Sequence, residues 1–345
     1  MADFTHLHVH TEYSLLDGLG KIKDLLAKAQ EYGMDSLAIT DHGSMFGVIK
    51  FYLKAKAAGI KPIIGVEVYQ AARSRLDKQN GLDNDQYHLV LLAENLTGYQ
   101  NLMKLITRAN LEGFYYKPRV DMELLRDYGE GLIALSGCLG GEIPHLLMVG
   151  QDEAAERKAK EFMEIFPPDH FYLELQKHPD MPELDKVNEK LVALSRKLGI
   201  ALVATNDIHY INKEDAEAQE ILLCVQTQRT ILEKNRPMSM LSHPDYYMKS
   251  QEEMKTMFMQ YPEAIANTEK IAAMCNVEIE LGNWILPHFE VPEGETPGSY
   301  LSKEAHARIV SRVDKVTPEI TERLDYELKI ISQKGYPTYF LVVAD

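Results

Sequence analysis

The chain has 345 residues with 37 basic and 52 acidic side chains, so its formal net charge is −15. This acidic balance argues against tight nucleic-acid binding by the chain alone, because phosphate contacts need clustered Lys and Arg side chains. It does not exclude a phosphodiester substrate if metal ions supply the positive charge. The sequence has 45% hydrophobic and 26% charged residues, which is ordinary for a soluble globular protein. It contains no run of 18 apolar residues, so no membrane span is predicted.

The N-terminal sequence and the cysteines favour a cytoplasmic protein. The first residues lack a basic segment followed by an apolar core, so no signal peptide is expected. Cys138, Cys224 and Cys275 are odd in number and far apart, which does not indicate a disulfide framework. Cys224 has apolar neighbours and is predicted to lie in the core of a helix.

The opening stretch alternates histidine with apolar residues. In an extended strand, His6, His8 and His10 would share one face, with Leu7 and Val9 on the other. Two imidazoles about 7 Å apart on one face suit a metal ion or a metal cluster. For this motif by itself, a surface strand that happens to carry histidines is the alternative.

Strands and helices alternate from this stretch to about residue 210. Further strands are predicted at 36–40, 61–69, 88–93, 132–135, 170–175 and 200–205, with helices at about 20–33, 44–58, 97–110, 152–165 and 183–198. This α/β pattern is typical of parallel strands with helical crossovers. Seven strands fit a distorted TIM-like (β/α) barrel, and an open doubly wound sheet is the competing fold. Candidate ligands on many strands favour the barrel.

The sequence after about residue 210 is mostly helical. Helices are predicted at about 213–225, 250–260 and 262–275, followed by an extended arm at 281–289 and a linker at 291–298. Two more helices and an apolar run follow, at about 299–312, 317–334 and 339–345. We therefore expect a domain over 1–280, formed by the barrel and a mostly helical extension, and a separate segment over 281–345.

Side chains that bind metals lie beside most of the predicted strands. Because barrel strands bring their C-terminal ends to one mouth, we expect these side chains to form one site. Imidazole, carboxylate and thiolate ligands together fit zinc, and also manganese or iron. Their number exceeds the need of one tetrahedral ion, so two or three ions bridged by Glu67 or Asp207 are inferred. The candidate ligands are His8, His10, Asp17, His42, Glu67, His88, Cys138, Asp207 and His209.

A metal cluster of this kind predicts a reaction class. Ions about 3.5–4 Å apart would clamp a phosphate, polarise it and lower the pKa of a bound water. Hydrolysis of a phosphate ester follows from that chemistry.

Three positions also have structural explanations. Asp41 could open the next helix as its N-cap, which would leave His42 for the metal. Cys138 fits a small buried hydrophobic residue as well as a ligand. Asp17 fits a turn residue.

The position of His88 conflicts with a parallel barrel. His88 precedes its predicted strand, and geometry by itself nominates Glu94 at the other end, so both residues stay open. The remaining histidines are interpreted as surface or core residues, namely His6, His145, His170, His178, His243, His288 and His306.

An aromatic and basic loop is predicted at 113–121. Tyr115, Tyr116, Lys117 and Arg119 would suit base stacking and phosphate contacts on single-stranded DNA. The alternative is a packed loop with solvated charges.

Several motifs resemble the PHP (polymerase and histidinol phosphatase) superfamily. The matching segments are 8–18 (HVHTEYSLLDG), 39–43 (ITDHG), 65–67 (GVE) and 205–209 (TNDIH). Segments 98–102, 113–119 and 335–341 are similar to the polymerase branch of that superfamily, the N-terminal PHP domain of bacterial DNA polymerase III alpha subunits. The resemblance covers essentially the whole chain.

The resemblance implies a distorted seven-stranded barrel with a trinuclear metal site on the nine candidate ligands. It also implies a metal-dependent 3′–5′ exonuclease that proofreads the 3′ end of single-stranded DNA, with His10, Glu67 and Asp207 as catalytic residues. Asp17 and Cys138 stand where several small PHP phosphatases have histidine, as in the polymerase branch.

The same resemblance implies partners for the chain. They are the remainder of the polymerase alpha subunit and the separate proofreading subunit of the replicase. Residues 281–345 would begin the polymerase palm, whose carboxylates lie further along, so no nucleotidyl transfer is expected from this chain.

Two other functions stay open. The same metals would support a small-molecule phosphatase of the histidinol-phosphatase type. Alternatively, the metal only holds the barrel together, and the surface of a non-catalytic module binds the rest of the polymerase or its proofreading subunit.

Overall fold

A curled sheet of seven strands forms the centre of the larger of two compact units, Met1–Ile279. The computed structural model describes residues 3–179, 181–233, 235–283 and 288–345. Among these residues the strands are β1 Ser36–Ile39, β2 Lys61–Ala71, β3 Gln86–Ala93, β4 Arg119–Val120, β5 Leu132–Leu135, β6 Phe171–Gln176 and β7 Ala201–Thr205. Their order is β1-β2-β3-β5-β6-β7, with the short β4 paired to β2. The predicted α/β class and its barrel-like sheet are confirmed.

The direction of β3 differs from the prediction. β3 runs antiparallel to both β2 and β5, with Tyr69 opposite His88 and Leu135 opposite Val90, whereas the other strand pairs are parallel. The physical reason lies in the connection, because a parallel crossover is usually built on a helix. Residues 72–85 form turns without a helix, so the chain returns beside β2 in the opposite direction.

The opening segment joins the two edges of the sheet. It is extended but forms only one isolated bridge, between Val9 and Ile208, rather than the regular strand that was predicted. On one side the Ala38 amide donates to the His6 carbonyl, and on the other the Ile208 amide donates to the His8 carbonyl. This placement puts the segment between β1 and the residues that follow β7.

Alternation along the strands divides the inner face of the sheet into two layers. On β2, Ile63 and Glu67 share the inner face, and on β6 Tyr172 and Glu174 do the same. The first member of each pair belongs to an apolar cluster that also contains Ile271 of the helix Pro262–Met274. The second member of each pair lies nearer the carboxyl ends of the parallel strands, so this end of the sheet is polar and buried.

Ten helices of the described residues surround the sheet of the larger unit. They bury apolar stripes, as α1 does with Ile22, Leu25 and Leu26. The helices predicted between residues 20 and 275 are confirmed, but the seven-residue helices α4 and α5 were not predicted. The helices are α1 Ile22–Glu31, α2 Val48–Ala57, α3 Leu96–Leu111, α4 Met122–Tyr128, α5 Glu142–Met148, α6 Asp152–Ile165, α7 Pro182–Leu198, α8 Ala216–Thr227, α9 Gln251–Met257 and α10 Pro262–Met274.

The second unit, Glu280–Asp345, is helical. It contains α11 Pro297–Arg308, α12 Pro318–Gln333 and α13 Pro337–Ala344, and α13 carries the predicted apolar run. The predicted arm at 281–289 lies partly outside the described residues, because 284–287 are not among them. The assignment of this unit to a polymerase palm stays a prediction. Within the described residues, no helix combines the length and apolar character needed to cross a membrane.

Candidate metal centre

Nine side chains predicted as ligands meet at the polar end of the sheet. They come from the opening segment, from the loops after β1, β5 and β7, from the loop before α1, and from β2 and β3. Each lies within 4 Å of at least one other member through a nitrogen, oxygen or sulfur atom. The set contains five imidazoles, three carboxylates and one thiol, namely His8, His10, Asp17, His42, Glu67, His88, Cys138, Asp207 and His209.

Glu67 is the centre of this cluster. Its Oε1 lies 3.3 Å from His8 Nε2 and 3.0 Å from His88 Nδ1. Its Oε2 lies 2.6 Å from His42 Nδ1 and 3.5 Å from His10 Nε2. Because β2 extends beyond the end of β1, Glu67 reaches the site from within a strand and pairs with His42 by an isolated bridge. One buried carboxylate therefore faces four imidazoles.

Asp207 forms a second bridge between histidines. Its Oδ1 lies 3.2 Å from the Nε2 atoms of both His8 and His10, and 3.6 Å from His209 Nδ1. The backbone of Asp207 has a φ of 54°, in the left-handed region that aspartate tolerates better than most residues. The amide of His10 donates to the carbonyl of Ile208 over 2.8 Å, which helps to hold this conformation.

Asp17 closes the other side of the cluster. Its Oδ2 lies 3.1 Å from His42 Nε2, and its Oδ1 lies 3.9 Å from His209 Nε2. The backbone amide of Asp17 donates to the Ser14 carbonyl, and the Gln219 side-chain amide donates to the Asp17 carbonyl. The loop before α1 thus holds a buried carboxylate rather than an exposed turn residue.

Asp41 has a structural role that differs from the predicted N-cap. The N-cap of α2 is Gly47. The Asp41 carboxylate instead accepts hydrogen bonds from the Thr11 amide and hydroxyl and from the Ser14 hydroxyl. Ser14 Oγ also lies 3.0 Å from His10 Nδ1, so Asp41 supports the loop that orients His10.

The antiparallel direction of β3 decides between His88 and Glu94. It places the first residues of the strand, not the last, beside the ligands. His88 Nδ1 is therefore 3.0 Å from Glu67. The Glu94 carboxylate lies at the opposite end of β3, 3.4 Å from His170 Nε2. The expectation that geometry nominates Glu94 is wrong, because it assumed a parallel strand.

Solvent reaches the cluster from one side. The side chains of His8, His10 and Glu67 are at most 1% exposed, whereas those of His42 and His88 are 12% and 25% exposed. Cys138 is half-buried beside His88, with its Sγ 3.7 Å from His88 Nδ1. The face formed by His42, His88 and Cys138 is therefore the open side of the cluster.

The carboxylates control the protonation of the histidines around them. Burial would lower the pKa of His42, but the charge of Glu67 and the contact with Asp17 outweigh it and raise the pKa to about 10. Burial and the neighbouring rings of His42 and His209 lower the pKa of His10 to about 3. Burial also raises the pKa of the Cys138 thiol, and the charges of Asp207 and Glu67 add to that effect.

The donor atoms fit a cluster of divalent ions. Seven buried side-chain atoms of the cluster have no hydrogen-bond partner. They are His8 Nε2, His10 Nε2, Asp17 Oδ1, His42 Nδ1, Glu67 Oε1, Glu67 Oε2 and Asp207 Oδ1. Buried polar atoms are normally satisfied, so such a concentration points to a bound cation. Three groups have donor atoms within 4.8 Å of one another: His10, His42 and His209; His8, His10 and Asp207; and His42, Glu67 and His88.

Glu174 on β6 also contacts the cluster, although it was not among the predicted site residues. Its Oε1 lies 2.7 Å from His8 Nδ1 and also accepts hydrogen bonds from Thr205 and Gln176. The available signal was a charged residue inside a buried strand, which is the feature that identified Glu67.

Arg119 has a structural role in the aromatic and basic loop. It is 0% exposed, and its guanidinium donates to the carbonyls of Gly113, Arg75, Asp77 and Asp83. These bonds fasten the 72–85 connection to the loop. The predicted contact between Arg119 and DNA is not supported, because the side chain is enclosed.

Lys117, in the same loop, is connected to the centre through Tyr69. The Lys117 ammonium is 5.2 Å from the centroid of the Tyr69 ring, and the Tyr69 ring stacks on His42 at 5.7 Å. Tyr116 is 68% exposed and its ring contacts Tyr115. Lys117, Tyr115 and Tyr116 therefore remain candidates for a nucleic-acid contact.

The histidines and the cysteine interpreted as core or surface residues have those positions. His6 and His178 are buried, as is Cys224 in α8. The others are partly or largely exposed, namely His145, His170, His243, His288 and His306.

Comparison with protein families agrees with this geometry. A family model described as the PHP domain matches residues 6–178, which is half of the chain. The chain therefore belongs to the PHP domain family. A second model, described as the bacterial DNA polymerase III alpha NTPase domain, matches residues 299–345.

Curated relatives are DNA polymerase III alpha subunits. The subunit of Borreliella burgdorferi is 47% identical over 345 residues, which cover 99% of this chain and 30% of the relative. Those of Treponema pallidum and Thermus aquaticus are 43% and 40% identical, each over 99% of this chain and over 29% and 33% of the relative. The chain thus spans about a third of the length of the curated relatives that it matches. An amidohydrolase structure from Chromobacterium violaceum aligns with a TM-score of 0.40 and 16% identity, covering 59% of this chain and 87% of that one.

Proposed function

We propose that this chain is a metal-dependent phosphoesterase domain that removes nucleotides from the 3′ end of single-stranded DNA, as the proofreading part of a bacterial replicative polymerase. The observation that carries the proposal is the cluster of buried, unpaired donor atoms around Glu67 and Asp207. It is supported by membership in the PHP family and by 47% identity to a DNA polymerase III alpha subunit.

The nine ligands would hold two or three divalent ions, with zinc as the first choice and manganese or iron as alternatives. Bound ions supply Lewis acidity and an activated water for hydrolysis of a phosphodiester. Glu67 and Asp207 hold negative charge between the imidazoles. The low pKa of His10 keeps its ring neutral at physiological pH, as a metal ligand must be.

The open side of the cluster, formed by His42, His88 and Cys138, has a cation and an aromatic ring near it that could bind a DNA end. The Lys117 ammonium lies over the Tyr69 ring that stacks on His42, and it is placed to contact a phosphate. The exposed ring of Tyr116 offers a surface on which an unpaired base can stack, whatever its identity. A single-stranded substrate fits these groups better than a small phosphate monoester, which needs no stacking surface.

A structural role for the metal is the second candidate, and the burial of the site favours it. Ligands that are at most 1% exposed, such as His8, would link the opening segment to β2 and to the residues after β7 through a bound ion. In that case the domain would serve the rest of the polymerase, and its proofreading subunit, without hydrolysing DNA.

Degradation of a 5′-labelled single-stranded oligonucleotide by metal-analysed protein separates these functions. We expect stepwise loss of 3′ nucleotides that requires bound metal and disappears in His10→Ala and Asp207→Ala. Glu142→Gln serves as a control, because it alters a partly buried carboxylate that contacts Gln70 and Lys158 and none of the nine ligands. Metal-loaded wild-type protein without activity, and variants that are only less stable, would favour the structural role.

A further inference from the structure

Glu174 is a buried carboxylate that lies outside the set of nine ligands. Its side chain is 0% exposed, and its neighbours on the strand, Leu173 and Leu175, face the opposite side in the apolar core. The Glu174 amide donates to Ser136 Oγ over 2.9 Å, which fixes the backbone at this point. A buried charge destabilises the fold unless a partner compensates it, so the contacts of Glu174 indicate its role.

The main partner of Glu174 is the ring of His8. Glu174 Oε1 is 2.7 Å from His8 Nδ1, and the other ring nitrogen, Nε2, faces Glu67 and Asp207 at 3.3 and 3.2 Å. A carboxylate next to Nδ1 keeps a proton on that nitrogen. The lone pair of Nε2 is then free to face the cluster of ligands.

The two other histidines that contact Asp207 have different supports. His10 Nδ1 is 3.0 Å from the Ser14 hydroxyl, and His209 Nδ1 is 2.8 Å from the backbone carbonyl of Asp207. These partners are neutral, whereas Glu174 carries a charge. A charged acceptor makes the imidazole a stronger donor toward a cation, and such partners tune metal affinity in known metal sites.

We infer that Glu174 is a positioning residue, which holds His8 as the Nδ1–H tautomer and strengthens the binding of a divalent cation at Nε2. Thr205 and Gln176 support this arrangement, because both donate to the same Oε1 and so keep the carboxylate directed at His8. The inference rests on the metal site of the proposed function, but not on hydrolysis of DNA.

The test is the affinity of the full chain for Zn²⁺, measured by competition with a chromophoric chelator after metal removal. Glu174→Gln should weaken the binding of one equivalent by roughly 10- to 100-fold, the range for loss of such a partner. The matched control Glu142→Gln should stay within about twofold of wild type. If Glu174→Gln loses stability but keeps wild-type affinity, the role is only structural and the inference is overturned.

A second measurement needs no variant to fold. In Zn²⁺-loaded wild-type protein with ¹⁵N-labelled histidine, the ring of His8 should carry its proton on Nδ1 and coordinate through Nε2. Coordination through Nδ1, or a wild-type chain that binds no Zn²⁺, would overturn the inference. If the affinity result holds while the loaded chain leaves DNA intact, the proposed function fails and the role of Glu174 stands.

Discussion

Replacement of Glu67 by glutamine tests how the cluster behaves without metal. The substitution keeps the size of the side chain and removes the charge that four imidazoles face at 2.6 to 3.5 Å. In the metal-free chain, the nearest of these rings, His42, has a pKa raised to about 10, although burial alone would lower it. The pKa of Glu67 is lowered by the same attraction to the histidines, so the energy of the Glu67–His42 interaction is counted only once.

The size and sign of the effect follow from the pKa of His42. Because the folded-state pKa lies above the unfolded value of about 6.5, the interaction stabilises the fold fully below pH 6.5 and is lost as pH rises through 10. At about 1.4 kcal/mol per pKa unit, the interaction contributes up to about 3 kcal/mol at pH 7.5 and less than about 1 kcal/mol at pH 9.5. Glu67→Gln should lose most of this contribution.

Urea unfolding in the presence of a chelator measures the loss. The free energy of unfolding of Glu67→Gln should fall below that of wild type by roughly 2 to 3 kcal/mol at pH 7.5, and the two proteins should converge at pH 9.5. Glu142→Gln is the control for replacing a partly buried carboxylate outside the cluster. A difference that is independent of pH, or one below about 0.5 kcal/mol at pH 7.5, would refute the reasoning.

Three further predictions concern residues around the centre. Burial lowers the pKa of His6 to about 4, so at pH 5 the unfolded chain binds a proton that the folded chain does not. In urea titrations, wild type should therefore lose about 2 kcal/mol of stability relative to His6→Gln when the pH falls from 7.5 to 5. Lys249 is 2% exposed and donates to Asn206 Oδ1 over 2.9 Å, next to Asp207. Lys249→Met should therefore destabilise the fold by about 3 kcal/mol and weaken Zn²⁺ binding. Unchanged Zn²⁺ affinity in the competition assay would show that Lys249 does not support Asp207 as a ligand. Lys117→Ala should slow degradation of the single-stranded oligonucleotide and reduce its salt dependence without changing metal content, and a rate equal to wild type at low salt would remove Lys117 from the DNA contact.

The sequence contains enough to predict the class of fold and most of the centre. Alternation places His8 and His10 on one face, and the ends of parallel strands collect Asp207 and His42 near them. Glu67 could be recognised because a charge in the middle of an apolar strand is rare unless it is paired. All these signals are local in the sequence, so they can be recognised without the tertiary structure.

Other features depend on contacts between distant segments. The direction of β3 decides between His88 and Glu94, and it is set by a helix-free connection whose path the sequence does not fix. From the sequence alone, Glu174 in β6 and Arg119 in a polar loop could each be exposed to solvent or buried. The contact of Glu174 with His8 and that of Arg119 with the 72–85 connection show that both are buried. The partners of Arg119 are backbone carbonyls, which every residue has, so no residue type in the sequence indicates them.

Both the proposed hydrolysis and the proposed role of Glu174 require that the cluster binds metal. Anomalous diffraction from crystals of the zinc- or manganese-loaded chain would locate the ions directly. We expect two or three peaks within coordination distance of Glu67 and Asp207, with donor atoms from His8, His10 and His42 around them. Peaks only at other places, or none in crystals of protein that had been loaded with metal, would contradict it.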